Sequence, residues 1–174
     1  MVAKVDAEDG GSKRVADEQE IKSYPTIKFW PANSKTPEKY EGARTEAAFV
    51  DFLNKEAGTY RAVGGGLTAA GGTIAAVDEV IQKIIDGGST VAERADEISA
   101  AAKEAAGQKY AEYYGKVAGK AKADEGYLQK ELTRLEGMIK KGSSLAPAKL
   151  DDLVSRSNIL RRFQVLKNEG KSEL

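Results

Sequence analysis

Cysteine and histidine are both missing from this chain of 174 residues. Without thiols the chain can form no disulfide and has no thiolate nucleophile, and without imidazole it cannot build a His-based triad. The usual thiolate and imidazole ligands of zinc are missing for the same reason. Carboxylate pairs, a Ser-Lys pair and tyrosine are the catalytic options that remain. Because the 27 acidic residues are expected to form mostly solvated faces, we predict no catalytic residue, no metal site and no cofactor.

An excess of one charge is also missing, since 27 Lys and Arg residues balance 27 Asp and Glu residues. The sequence therefore predicts neither nucleic acid binding, which needs a basic surface, nor an acidic disordered tail. No apolar run approaches the length that a membrane-spanning helix requires, so no membrane insertion is expected. The opening "MVAKVDAEDG" lacks the apolar segment of a signal peptide. We expect either a cytosolic protein or part of a longer precursor.

The first third of the sequence mixes strand and helix patterns. "VAKVDA" and "TIKFW" alternate as strands do, and "KYEG" can pair with "TIKFW" across a proline-containing loop. "SKRVADEQEIKS" predicts a weak, short helix before this hairpin. "TEAAFVDFLNKEAG" predicts a helix that is capped by Thr45 and ended by Gly58. Its apolar stripe is formed by Phe49, Phe52 and Leu53.

A glycine-rich segment, "VGGGLTAAGG" at residues 63–72, follows this region. Five of its ten residues are glycine, and each costs about 1 kcal/mol in a helix or strand relative to alanine. We therefore interpret it as a flexible linker between a domain at residues 1–62 and a domain at residues 73–168. Residues 169–174 form a tail.

The sequence after Gly72 is helical in pattern throughout. Apolar residues recur at three- and four-residue intervals in five successive segments joined by short connections, which predicts a five-helix bundle. Thr90 and Glu93 form a capping box before the second of these helices, and Pro147 lies near the start of the fifth. The lengths and apolar stripes differ, so the segments are not internal repeats.

The N-terminal region resembles the second half of a thioredoxin-type domain of the protein disulfide isomerase family. The similarity rests on "AKVDA", "YPTIKFW" and "YEGARTEAAFVDFLNK", which occur in that order at the family's spacing. "YLQKELTRLEGMIKKGSSLAPAKLDDLVSRSNILRRF" resembles the helical D domain found in one branch of the same family. The ending "KSEL", Lys171 to Leu174, is similar to the retrieval signal Lys-Asp-Glu-Leu, with Ser172 in place of aspartate.

The resemblance implies an α+β fragment followed by an all-α domain: an incomplete thioredoxin-like βαββα half and a five-helix D-domain bundle. In the family the reactive Cys-x-x-Cys lies upstream of "VAKVDA", together with the central strand, so this chain is expected to be inactive alone as an isomerase. A partial sheet with open edges is marginally stable. We therefore expect residues 1–60 to be weakly held and the bundle to fold independently.

Three groups of residues are candidates for binding. The resemblance implies that Tyr24, Pro25 and Thr26 form the family's cis-proline loop, which pairs with extended substrate. Tyr113 and Tyr114 belong to an aromatic cluster with Tyr110, and we interpret them either as core residues or as a partner surface. The third group, the arginines Arg156, Arg161 and Arg162, is interpreted as a solvated helix face with local ion pairs in preference to a site for an acidic partner.

The resemblance implies that the chain is the C-terminal part of an isomerase of the endoplasmic reticulum lumen, acting in oxidative folding of secretory proteins. Its expected partners are unfolded secretory proteins or chaperones of that compartment, and Lys171, Ser172, Glu173 and Leu174 would engage a KDEL-type retrieval receptor. Two alternatives remain open at the level of sequence. One is a secretory chaperone or escort protein without redox activity, and the other is a structural module that forms a homodimer.

Overall fold

The structure is a computed structural model that describes residues 2–142 and 145–164. The helices and strands follow one another in two units, which divide after Gly58. After a 3-10 turn at Gly10–Ser12, the elements are α1 (Lys13–Glu18), β1 (Lys28–Phe29), β2 (Glu38–Lys39), α2 (Glu46–Ala57), α3 (Ala75–Asp86), α4 (Ala95–Glu104), α5 (Ala111–Ala123), α6 (Tyr127–Lys140) and α7 (Pro147–Arg162). A thioredoxin-like fragment followed by a helical bundle is the predicted fold class, and it is confirmed.

The N-terminal unit is built around one hairpin and one helix. Strands β1 and β2 pair in antiparallel register, with Lys28 opposite Lys39 and Phe29 opposite Glu38. Helix α2 begins where the Thr45 hydroxyl accepts a hydrogen bond from the Ala48 N–H at 3.3 Å. It ends at Gly58, whose φ of 60° lies in the left-handed region. The hairpin and the predicted ends of this helix are thus confirmed.

Aromatic rings join the hairpin to α2. Phe29 meets Phe52 edge-on at a centroid distance of 5.2 Å, and Tyr40 lies 5.0 Å from both Phe49 and Phe52. Leu53, which was predicted to share this apolar stripe, is instead 44% exposed. No residue between 2 and 58 is buried, so this unit contains an aromatic cluster but no closed core.

One predicted strand is absent from this unit. Residues 2–6 carry no strand assignment, although "VAKVDA" alternates as a strand should. Val2 is 97% exposed and Val5 is 54% exposed. A strand requires a hydrogen-bonded neighbour, and within residues 2–58 the only described ladder is the one between β1 and β2. The alternating pattern is therefore present without the partner that would make it a strand.

Residues 59–72 belong to the second unit, which corrects the interpretation of residues 63–72 as a flexible linker. Arg61 and Leu67 form an antiparallel bridge, and the Thr68 N–H donates to the Tyr60 carbonyl at 2.9 Å. Gly64 and Gly65 allow the turn between them because their φ angles, 85° and 93°, suit glycine. The glycines therefore form a tight turn instead of a spacer.

The bundle has one core, to which all five helices α3–α7 contribute. Most of the apolar positions predicted from helical spacing lie inside it, because that spacing places them on one face of each helix. Met138, which was predicted to share the buried face of α6, is instead 36% exposed. Its fully buried members include Val77, Ile81, Ile98, Tyr114, Val117, Leu135, Ile159 and Leu160. The predicted capping box is also present: Glu93 accepts from the Thr90 N–H at 2.8 Å, and the Thr90 hydroxyl accepts from the Glu93 N–H at 3.3 Å.

Limited proteolysis of the full chain is expected to cut first within residues 2–58. Backbone that lacks buried apolar contacts opens locally at low free energy, whereas the bundle must unfold as a whole. The resistant fragment should begin between residues 59 and 72, which mass spectrometry of the digest would identify. Equal resistance of residues 2–58 and of the bundle would contradict this interpretation.

Candidate functional site

The segment around Pro25 lies on the surface of the N-terminal unit. The Tyr24–Pro25 peptide bond is cis, Tyr24 is 59% exposed, and Thr26 is half-buried. The Thr26 hydroxyl donates to the Ser23 carbonyl at 2.6 Å, and the Arg44 guanidinium donates to the Pro25 carbonyl at 3.0 Å. Both bonds hold the loop at its base and leave the Tyr24 ring accessible. Binding of substrate by Tyr24, Pro25 and Thr26 stays a prediction.

The tyrosine cluster of α5 mostly faces inward. Tyr114 is completely buried, which excludes it from a partner surface and corrects that part of the sequence interpretation. Its position on α5 follows from the helical spacing that it shares with Val117 and Ala118, both also completely buried. Tyr110 is buried as well. Of the two tyrosines proposed for a partner surface, only Tyr113 is partly exposed.

Tyr113 packs under a cation from the neighbouring helix. The guanidinium of Arg156 lies 4.9 Å from the centre of its ring, a cation–π geometry. The phenol oxygen is buried and has no hydrogen-bond partner among the described residues, and burial raises the pKa of Tyr113 above its ordinary value. Tyr113 is therefore a partly exposed residue beside a cation, with a hydroxyl that stays neutral.

The arginines of α7 each have a carboxylate partner. Arg156 lies 3.1 Å from Asp152, Arg161 lies 2.9 Å from Glu136, and Arg162 lies 3.1 Å from Asp78. The arginines are paired, as the sequence interpretation predicted, but only the Arg156–Asp152 pair is local to α7. Arg161 pairs with a residue of α6 and Arg162 with a residue of α3. The arginines are therefore not an unpaired basic patch.

A polar network lies inside the bundle, where the sequence predicted only apolar packing. The Tyr114 hydroxyl donates to the Asp78 carboxylate and accepts from the Ile74 N–H at 3.1 Å. Burial raises the pKa of Asp78, while the hydrogen bond from Tyr114 and the charge of Arg162 act in the opposite direction. The network connects the start of α3 to the first turn of α5 and the end of α7.

Asn158 connects the glycine-rich segment to α7 through side-chain hydrogen bonds. Its side-chain amide, 4% exposed, donates to the carbonyls of Thr68 and Gly71 at 2.9 and 3.0 Å. Nearby, Arg61 forms two hydrogen bonds with the Asp151 carboxylate, at 2.9 and 2.6 Å, which lower the pKa of Asp151. The signal for Asn158 in the sequence was an amide set directly before the apolar pair Ile159 and Leu160.

An open groove of about 540 Å³ lies at one end of the bundle. It is formed where the α3–α4 connection meets the end of α5, the beginning of α6 and the end of α7. No single stretch of the sequence predicts this groove, because its apolar residues come from four different segments of the chain. Its lining comprises Ile85, Gly88, Ser89, Thr90, Val91, Ala92, Ala121, Glu125, Leu128, Gln129, Phe163 and Gln164.

Other kinds of site are not seen in the described part of the chain. Residues 2–142 and 145–164 contain no group of three acidic side chains that could hold a metal ion. No helix in the same ranges is both long and apolar enough to cross a membrane. The retrieval-like ending Lys171, Ser172, Glu173 and Leu174 lies outside the described residues, as do residues 165–168 of the predicted bundle.

Comparison with known proteins divides the chain into an N-terminal and a C-terminal region, as the structure does. Residues 72–163 match the family model described as endoplasmic reticulum protein ERp29, C-terminal domain, and residues 1–55 match the thioredoxin model. The first match begins at Gly72, the last residue of the glycine-rich segment, and covers nearly all of the described bundle. No solved structure matches the chain significantly.

Three curated relatives align with most of this chain. A protein named protein disulfide-isomerase erp38 from Neurospora crassa is 49% identical over 176 residues, which is 99% of this chain and 47% of the relative. Protein disulfide-isomerase tigA from Aspergillus niger is 49% identical over 177 residues, 100% of this chain and 46% of the relative. Protein disulfide isomerase-like 2-2 from Oryza sativa subsp. japonica is 32% identical over 173 residues, 94% of this chain and 44% of the relative.

The chain thus spans about half the length of the curated relatives it matches. The helical bundle, the thioredoxin-type hairpin and helix, and the order in which they occur all agree with these matches. The chain belongs to the protein disulfide isomerase family, as a thioredoxin-type region followed by a helical ERp29 C-terminal domain.

Proposed function

We propose that this chain is the C-terminal, binding part of a protein disulfide isomerase of the endoplasmic reticulum lumen, acting in the oxidative folding of secretory proteins. The observation that supports this most is the order of the two family matches on a chain without cysteine. Thiol–disulfide exchange requires a thiolate, so binding is the contribution left to these 174 residues. The names of the relatives support the isomerase assignment for the larger protein.

The accessible side chains of the cis-proline loop are consistent with a binding role. Tyr24 combines a large apolar ring with a hydroxyl, a combination that suits contacts with varied unfolded chains. In the bundle, Tyr113 is the aromatic of the cluster that a partner can reach. We further propose that Lys171, Ser172, Glu173 and Leu174 act as the retrieval signal for a KDEL-type receptor.

Binding of an unfolded client by the full chain tests this function. A reduced, unfolded secretory protein should aggregate more slowly in the presence of the chain, while the rate at which its disulfides form stays unchanged. Tyr24→Ala should weaken client binding several-fold, because the exposed ring is removed from the loop. Tyr60→Ala is the matched control, since Tyr60 is similarly exposed at 49% and lies outside the loop.

Two results would count against this function. If the wild-type chain binds no client and does not slow aggregation, the chain has no binding role of its own. If Tyr24→Ala and Tyr60→Ala weaken binding equally, the loop has no special part in it.

A further inference from the structure

The groove at the end of the bundle has an apolar floor and a polar edge. Ile85, Val91 and Phe163 are buried residues of the core that also line the groove, and Leu128 packs against them. Its volume of about 540 Å³ falls within the ~300–1,000 Å³ that is typical of ligand pockets. The floor therefore offers space for several apolar side chains of a bound segment.

Two amide side chains cross the rim of this groove. The Gln164 amide donates to the Gln129 side-chain oxygen at 3.3 Å, which joins the beginning of α6 to the residues after α7. This bond is long and exposed to solvent, so its groups are available for exchange with another partner. Each side-chain amide offers both donors and an acceptor, as the backbone of an extended peptide requires.

Glu125 is the one charged residue that lines the groove. The cations closest to it in sequence have other partners: Lys122 lies 2.7 Å from Asp96, Lys130 lies 3.0 Å from Asp124, and Lys120 lies over the Tyr127 ring, 5.1 Å from its centre. Among the described residues no ion pair involves Glu125, which is exposed. The groove thus combines an apolar floor with a single negative charge at its rim.

We propose that this groove binds an extended peptide segment that carries apolar side chains and a lysine or arginine. The apolar side chains lie on the floor, the peptide backbone exchanges hydrogen bonds with the rim amides, and the basic side chain pairs with Glu125. The inference rests on the proposed client-binding function and gives it a location and a substrate class. Exposed apolar segments flanked by a basic residue are abundant in unfolded chains, which suits a binder of many clients.

Fluorescence anisotropy with labelled peptides and the full chain tests the proposal. The probe is the peptide Gly-Lys-Leu-Val-Phe-Ser-Gly, and the comparison peptide has glutamate in place of its lysine. The lysine peptide should bind several-fold more tightly than the glutamate peptide. Glu125→Lys should remove or invert this preference, whereas Glu112→Lys, an exposed site on α5 outside the lining, should leave it unchanged.

Blocking the floor tests the apolar part of the inference. Ala92→Trp places a large ring in the groove from the α3–α4 connection and should weaken binding of the lysine peptide about tenfold or more. Gln129→Trp does the same from the exposed start of α6 and serves if Ala92→Trp shifts the unfolding midpoint. Glu125→Lys changes only an exposed side chain, so it tests the charge without affecting the core.

The outcomes separate this inference from the client-binding function. One outcome is that Ala92→Trp and Gln129→Trp each leave the binding of an unfolded client unchanged. That result would overturn the proposal that the groove is the binding site, while the proposal that the chain binds clients would stand. If the chain binds neither client nor peptide, both fail. Peptide binding that occurs only after deletion of residues 165–174, or a dimer that Ala92→Trp dissociates, would assign the groove to the chain itself and overturn the proposal.

Discussion

Replacing Gly72 by alanine should lower the free energy of unfolding of the bundle by about 3 kcal/mol or more. Gly72 has a φ of 83°, which disfavours any side chain, and a β-carbon there would lie 2.3 Å from the β-carbon of Ser155. Ser155 is on α7 and only 4% exposed, so neither partner can move without disturbing the core. Urea denaturation followed by circular dichroism would measure the change.

A second glycine of the same segment separates the two causes. Gly65 has a φ of 93°, but a β-carbon there would meet nothing within 4 Å. Gly65→Ala should therefore cost only the conformational part, about 1 kcal/mol. If Gly72→Ala and Gly65→Ala destabilise equally, the contact with Ser155 contributes nothing. Combining Gly72→Ala with Ser155→Gly should restore part of the loss, since the two β-carbons no longer collide.

The helices of the bundle were predictable because each carries its own signals. Apolar residues at intervals of three and four predict the buried faces of α3 and α6. Thr90 and Glu93 form a capping box shortly before α4 begins. Pro147 occupies the first turn of α7, where its missing N–H is harmless. In the same way Thr45 and Gly58 set the ends of α2. All of these signals act within one or two turns.

The features that the sequence did not predict depend on contacts between residues that are far apart in the chain. The glycine-rich turn is ordered through Asn158, which is 87 and 90 residues from the carbonyls it binds. The alternation of residues 2–6 predicted a strand because local pattern does not show whether a neighbouring strand exists. The groove draws on four segments whose apolar residues, taken singly, look like ordinary core. Composition alone favours a linker for residues 63–72. The hydrogen bonds from Asn158 to Thr68 and Gly71 show that this segment is instead packed on the bundle.

Tyr114 is the residue whose role changes most between sequence and structure, and Tyr114→Phe should lower the free energy of unfolding by about 2–3 kcal/mol. The substitution keeps the buried ring and removes only the hydroxyl. The Ile74 N–H then loses its acceptor at the start of α3, and the Asp78 carboxylate loses a donor. Asp78 keeps Arg162 at 3.1 Å, which limits the loss, and denaturation in urea would measure it.

Tyr110→Phe is the matched control, because it removes the same hydroxyl from a buried tyrosine at the beginning of the same helix. The Tyr110 hydroxyl lies 3.4 Å from Asp152, a contact at the limit of a hydrogen bond, and Asp152 also pairs with Arg156. Its loss should cost less than about 1 kcal/mol. Equal destabilisation by the two substitutions would mean that the Asp78 network contributes no more than an edge contact. A larger effect at Tyr114 would establish that the bundle is held together by a buried polar connection as well as by its apolar core.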